Sequence, residues 1–404
     1  MDWTSKPDYA KWGMVNFLVL TIFGSVLRYM QVFNLPLVNY QFLLHAHSHF
    51  AFAGWMFFAI ALLISHQITG GQYPTGFRYV FIATMVSAYG MLVSFYLQGY
   101  KPVSIIFSTL FVLITYRFTY LVFKSGALKK AVNDTGYRLI RGALIFVCLS
   151  SLGPFALGPL IALGFKNTAL YQDAIYFYLH FQMNGFMFLA ALGLLASATL
   201  INPLPVKAKL WLNLFSYSAV PLYFIFTLWS KPNICISITA AMGAVLNLIS
   251  WLILCLYLRK LARQLSFLAK AALIAATLKI IFQVLVCFPP IGQWVFLSRN
   301  LIVGYIHLLT LAIIVPLIID QFIKKGFLNT GNILSTVNWF YIITVVIYLA
   351  LLFLQPLLFL FSIALPYYQF VLLCLCLLFL PAGSFWLISV KKNHSILINL
   401  SNCD

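Results

Sequence analysis

Seven histidines hold most of the chemistry open to this chain, because acids are almost absent: 25 Lys+Arg stand against 6 Asp+Glu, and all six acids are Asp. Five of the seven fall inside long apolar stretches: His45, His47, His49, His180 and His307. His66 and His394 read as solvated end residues. The run from Gln41 to Trp55 carries three imidazoles within five residues, His45-Ala-His47-Ser-His49. On a helix His45 and His49 share a face, and His47 points about 200° round from His45. An imidazole in hydrocarbon is costly and needs a partner. Interhelical hydrogen bonds would satisfy one such ring; three together point to ligands for a metal or a haem. A second polar stripe holds Asp173, Tyr176, His180 and Asn184, where a Tyr or Asp beside a ligand imidazole can orient it. A third stretch reads Arg299-Asn300-Leu-Ile-Val-Gly304-Tyr305-Ile-His307. Lys279 is the other odd residue, midway along an apolar stretch and four positions before Gln283. A lysine there is functional or paired.

The elements that position these residues must be membrane helices. The chain of 404 residues is 63% hydrophobic and 8% charged, with a mean hydropathy of +0.99. Soluble proteins carry about 25% charged residues, so lipid is the solvent here. The absence of Glu also removes the usual partner of two-carboxylate hydrolysis and of Glu-based zinc peptidase motifs. A bilayer core takes roughly 20 apolar residues as a helix. Twelve such stretches are expected: 12–32, 41–65, 77–97, 102–123, 139–163, 175–200, 209–229, 233–258, 267–288, 299–319, 333–355 and 363–390. Turn residues break them, among them Gly70-Gly71, Lys101-Pro102, Asn133-Asp134, Asn202-Pro203, Lys231-Pro232 and Pro289-Pro290. The chain, 1–404, therefore reads as a single polytopic membrane domain without an internal repeat. Its first stretch reads as a retained helix. Seven cysteines without a CxxC read as packing residues.

Basic residues set the expected orientation. Eighteen lie at one end of the spans and five at the other: Arg28, Lys101, Lys166, Lys231 and Arg299. Both termini are thus expected in the cytoplasm, in a multi-pass protein of the plasma (inner) membrane. The basic excess is a topology signal with anionic lipid of the bilayer as partner. It is not gathered into an arm or domain for nucleic acid. With this orientation the stretches numbered 2, 6 and 10 all run from outside to inside. Their five histidines come about 4–8 residues after the outer edge, roughly 6–12 Å deep at 1.5 Å per residue. A shared level is what a metal or haem held between helices requires, since haem iron takes axial ligands on opposite faces.

At three places the chain resembles the haem–copper oxidase superfamily in its twelve-helix catalytic subunit I, and most closely the branch of cbb3-type oxidases and nitric oxide reductases. His45 with Phe50-Ala-Phe52-Ala-Gly54 is similar to the helix-2 segment bearing a low-spin haem ligand. Tyr178-Leu-His180 with Asn184-Gly185-Phe186 is similar to the helix-6 segment bearing a copper or non-haem metal ligand. Val303-Gly304-Tyr305-Ile-His307 is similar to the helix-10 His-x-His, with Tyr305 at the first His. The resemblance implies an all-α twelve-transmembrane-helix bundle, a haem and a copper or other metal. It implies a bis-His site, His307 with His45 or His49, and His180 joining His47 at a second metal. Arg28 and Arg299, at outer helix ends, stand in for the basic pair that holds haem propionates. Stretch 7 has no His and the chain no Glu, which leaves the family's binuclear centre without its helix-7 ligands and acidic groups.

The leading functional expectation is a divergent haem-binding protein acting in electron transfer or in binding and reduction of a diatomic gas, NO or O2. His180 and Tyr305 are then the candidate catalytic groups, and a redox partner or small cytochrome subunit the expected associate. A proton-coupled secondary transporter, with Lys279 binding an anion, and a non-catalytic assembly or scaffold protein are the alternatives.

Overall fold

The computed structural model describes residues 8–130, 134–200, 204–259 and 261–391. Lys6, Asn133, Asn202, Pro203, Lys260, Lys392, His394 and Cys403 lie outside the described residues. Twelve helices are long and apolar enough to cross a bilayer, which makes this a multi-pass membrane protein. Spans 1 to 6 are Tyr9–Tyr29, Tyr40–Thr69, Thr75–Gln98, Pro102–Lys124, Thr135–Ala162 and Ala169–Thr199. Spans 7 to 12 are Val206–Ser230, Ile234–Leu258, Phe267–Val286, Arg299–Lys324, Asn332–Phe359 and Tyr368–Ile388. Among the described residues there is no strand, only an isolated bridge from Leu328 to Val390. Helix is what the apolar sequence dictates, because lipid offers backbone groups no partner.

The ends differ from the sequence reading where polar residues continue a helix. Span 6 starts at Ala169 rather than near 175, since Tyr171-Gln172-Asp173 extend its first turns. Span 12 starts later than expected, after Tyr367 in the left-handed region at φ 53°.

Three helices form the interior. Along spans 2, 6 and 10, 83%, 83% and 61% of the most apolar stretch is buried, against 33–50% in the other nine. The outer nine turn branched side chains outward; Ile82, Val86 and Val93 of span 3 repeat at helical spacing and are 54–55% exposed.

Each inner span breaks its α-helix with a seven-residue π segment: Ala51–Phe57, Phe181–Met187 and Leu308–Ile314. Such segments are rare and are frequently found at functional sites. Neighbouring spans satisfy carbonyls that they loosen. The Asn16 amide of span 1 donates to the Gly54 carbonyl, and the Tyr341 hydroxyl of span 11 donates to the Leu311 carbonyl at 2.9 Å. The C-terminal halves beyond the π segments pack on one another in an apolar core. The sequence shows no internal repeat, yet the structure has one in its geometry: every fourth span, starting from the second, is a buried helix with a π segment after its histidines. Because the repeat lies in hydrogen-bond register and not in residue identity, no self-similarity in the letters marks it.

Candidate functional site

All five intramembrane histidines precede a π segment. His180 and His307 come immediately before theirs, and His49 two residues before Ala51. They do not form one cluster. Among the described residues no three His, Cys, Asp or Glu side chains converge as a metal-ligating group.

The first group is built on spans 1, 2, 10 and 11. His307 Nδ1 donates to the carbonyl of Val303, one turn earlier, at 2.8 Å. That bond fixes the tautomer and leaves Nε2 with its lone pair. The ring stands edge-on to Tyr348 at 5.6 Å. His47 of span 2 lies within electrostatic range of His307. One edge of its ring lies toward the Leu20 carbonyl of span 1, and its Nδ1 is buried without a partner. Gly24 makes this approach available: a Cβ there would stand 3.2 Å from His47 Cε1. Arg28, one turn further along span 1, donates from Nε and Nη2 to the Tyr348 hydroxyl at 3.0 and 2.7 Å. Its charge also reaches His307. Arg28 has no carboxylate partner; the one ion pair among the described residues is Lys324–Asp320.

The expected partners of His307, His45 and His49, lie elsewhere. The reason is the 100° step of the helix: when His47 faces spans 1 and 10, the His45–His49 face looks toward span 3. There His49 stacks on Phe95 at 4.2 Å and its Nε2 shares a 2.8 Å hydrogen bond with the Tyr100 hydroxyl. His45 stands edge-on to the Tyr100 ring at 4.7 Å. Tyr100 follows Gly99, which ends span 3 at φ 65°, a conformation that suits glycine. Ser104 locks the turn, donating to the Gly99 carbonyl at 2.7 Å and accepting from Lys101 N at 3.0 Å. Burial, and then the neighbouring Tyr171, push the Tyr100 phenol up to about 12. At neutral pH Tyr100 is therefore a neutral hydroxyl, and the His49 tautomer sets which partner donates.

The third group joins spans 6, 7, 9 and 10. His180 Nε2 donates to the Ala219 carbonyl at 2.8 Å, and Asn184 Nδ2 donates to its Nδ1 at 3.4 Å. Both ring nitrogens are thus engaged, and His180 sits in this network, apart from His47. Tyr305 donates to Asn184 Oδ1 at 3.2 Å and accepts from Gln283 Nε2 at 2.9 Å. One turn before Gln283, Lys279 is 1% exposed, with its ammonium 4.6 Å from the Phe188 ring centre. Arg299 acts at the rim: its Nη2 donates to Tyr40 at 2.7 Å, tying the first residue of span 10 to that of span 2.

Sequence reasoning missed Tyr100 and Tyr348. The glycine that closes span 3 directly before an aromatic was a usable signal for Tyr100; Tyr348, inside an apolar helix, offers none. Compared with known proteins, the chain matches no protein-family model and no curated protein.

Proposed function

We propose that this is a haem-binding membrane protein, similar in plan to the haem–copper oxidase catalytic subunit, that acts in electron transfer or in binding and reducing a diatomic gas such as NO or O2. One observation carries the reading: His307 of span 10, its Nδ1 held by Val303 and its Nε2 free, comes within electrostatic range of His47 of span 2, whose buried Nδ1 lacks a partner. Two imidazoles from spans 2 and 10, each with an uncommitted nitrogen, are a donor set that would suit a haem iron. His307 and His47 would hold it, and Arg28, a cation without a carboxylate, would meet its acidic groups. Bound there, haem supplies one-electron transfer. Asn184 bridges His180 and Tyr305 by hydrogen bonds and would orient these two groups, each of which can hold a proton. Copper or another second metal at His180 is not part of the proposal, because span 7 meets that ring with the Ala219 carbonyl and not with an imidazole. The orientation proposed is both termini in the cytoplasm of the plasma membrane, with a redox partner on the side where spans 2, 6 and 10 begin.

The test is an absorption spectrum of the purified protein from haem-replete cells. A Soret band with reduced α and β bands is expected, lost in His307→Ala and His47→Ala but kept in His45→Ala. A colourless wild-type protein rejects the reading. Lys279, buried without a carboxylate, favours a second reading as a proton-coupled transporter; uptake that survives haem depletion would support it.

A further inference from the structure

The second histidine group has no task in the function just proposed. His45 and His49 are one turn apart on a single face of span 2, the spacing that lets a helix offer two imidazoles to one ion. His45 packs on aromatic rings and makes no hydrogen bond of its own. The Tyr100 oxygen is 2.8 Å from His49 Nε2. Two donors on one tetrahedral ion, each about 2.0–2.1 Å from it, stand roughly 3.3 Å apart, so these two atoms are already close to a shared coordination sphere. Their supports are rigid: Phe95 backs the His49 ring in a stack tilted by 12°, and the Gly99–Ser104 turn fixes Tyr100. Tyr100 places the site at the end of span 3, where the residue is 57% exposed.

We propose that His45, His49 and Tyr100 form a mononuclear site for a borderline divalent transition metal such as zinc, separate from the His47–His307 pair. Two imidazole nitrogens and one phenol oxygen suit such an ion rather than calcium or magnesium, which prefer all-oxygen shells. On binding, the metal–oxygen bond replaces the Tyr100 O–H bond, and the proton leaves to the buffer. The fourth position remains for water or a small ligand.

The experiment titrates chelator-stripped full-length protein in mild detergent with Zn2+ against a chromophoric chelator. About one ion per chain is expected. His45→Ala and His49→Ala should each weaken binding by about 100-fold, and Tyr100→Phe, which keeps the ring packing, by about tenfold. His307→Ala should bind zinc as the wild type does while losing the Soret band. Wild-type affinity in both His45→Ala and His49→Ala overturns the proposal, as does zinc binding that disappears with the Soret band in His307→Ala. A colourless protein that still binds one zinc through these residues rejects the haem reading and leaves this site standing.

Discussion

The two halves of each inner span obey different rules. After the π segments begin, packing is complete: every residue from Phe52 to Ser65, from His180 to Leu195 and from Ala312 to Phe322 is buried. Before them it is open. Tyr171 to Leu179 are all half-buried, as are His45, His47, His49, Tyr305 and His307, although these helices are the interior of the bundle. Close packing tolerates neither added nor lost volume. The C-terminal halves therefore serve as the fixed base, and the N-terminal halves hold polar groups with room around them. A site needs both, since side chains that bind must be aimed by a frame that does not move.

Substitutions can break this contrast or sharpen it. The largest effect is expected in the base. Phe57 is fully buried against the rings of Phe111, Phe118 and Phe186. Phe57→Ala should lower stability by about 3–5 kcal/mol, read as an earlier thermal unfolding transition in detergent. A loss under about 1 kcal/mol would mean that the two halves are equally loose. Next comes Gly24→Ala in the open half. Its Cβ must displace the His47 ring by a few tenths of an ångström, which costs about 1 kcal/mol. The gain in helix propensity, also about 1 kcal/mol, offsets that. Stability should hardly change while haem content falls, and an unchanged spectrum would separate Gly24 from the site. The smallest effect belongs to the rim. Tyr40→Phe removes the exposed bond to Arg299 and should cost about 0.5 kcal/mol, with both spectrum and zinc binding intact.

The twelve spans were legible because lipid imposes one simple demand, about 20 apolar residues per crossing. The two faces of the His45–His49 run were legible too, from the helical step alone. Which face met span 10 was not, since that depends on Gly24 admitting the His47 ring. The grouping of His180 with Asn184 and Tyr305 had half a signal: the stripe on span 6 showed His180 and Asn184 together, while Tyr305 and Gln283 joined from other helices. The π segments left no trace, because Ala51-Phe52-Ala53-Gly54 is as compatible with an ordinary helix as with a π turn.

Those π segments also decide azimuth. A π turn adds a residue to the helix, and each residue is worth about 100° of rotation. Each inner span therefore behaves as two rotors in series on one axis, whose angular settings can be chosen separately. The C-terminal rotor is locked by its neighbours. The N-terminal rotor takes whatever angle the inserted residue dictates, and in span 2 that angle turns His47 toward span 10 and His45 and His49 toward span 3. Removing one residue from Ala51–Phe57 would turn the whole histidine run by about 100° while the base stayed in place.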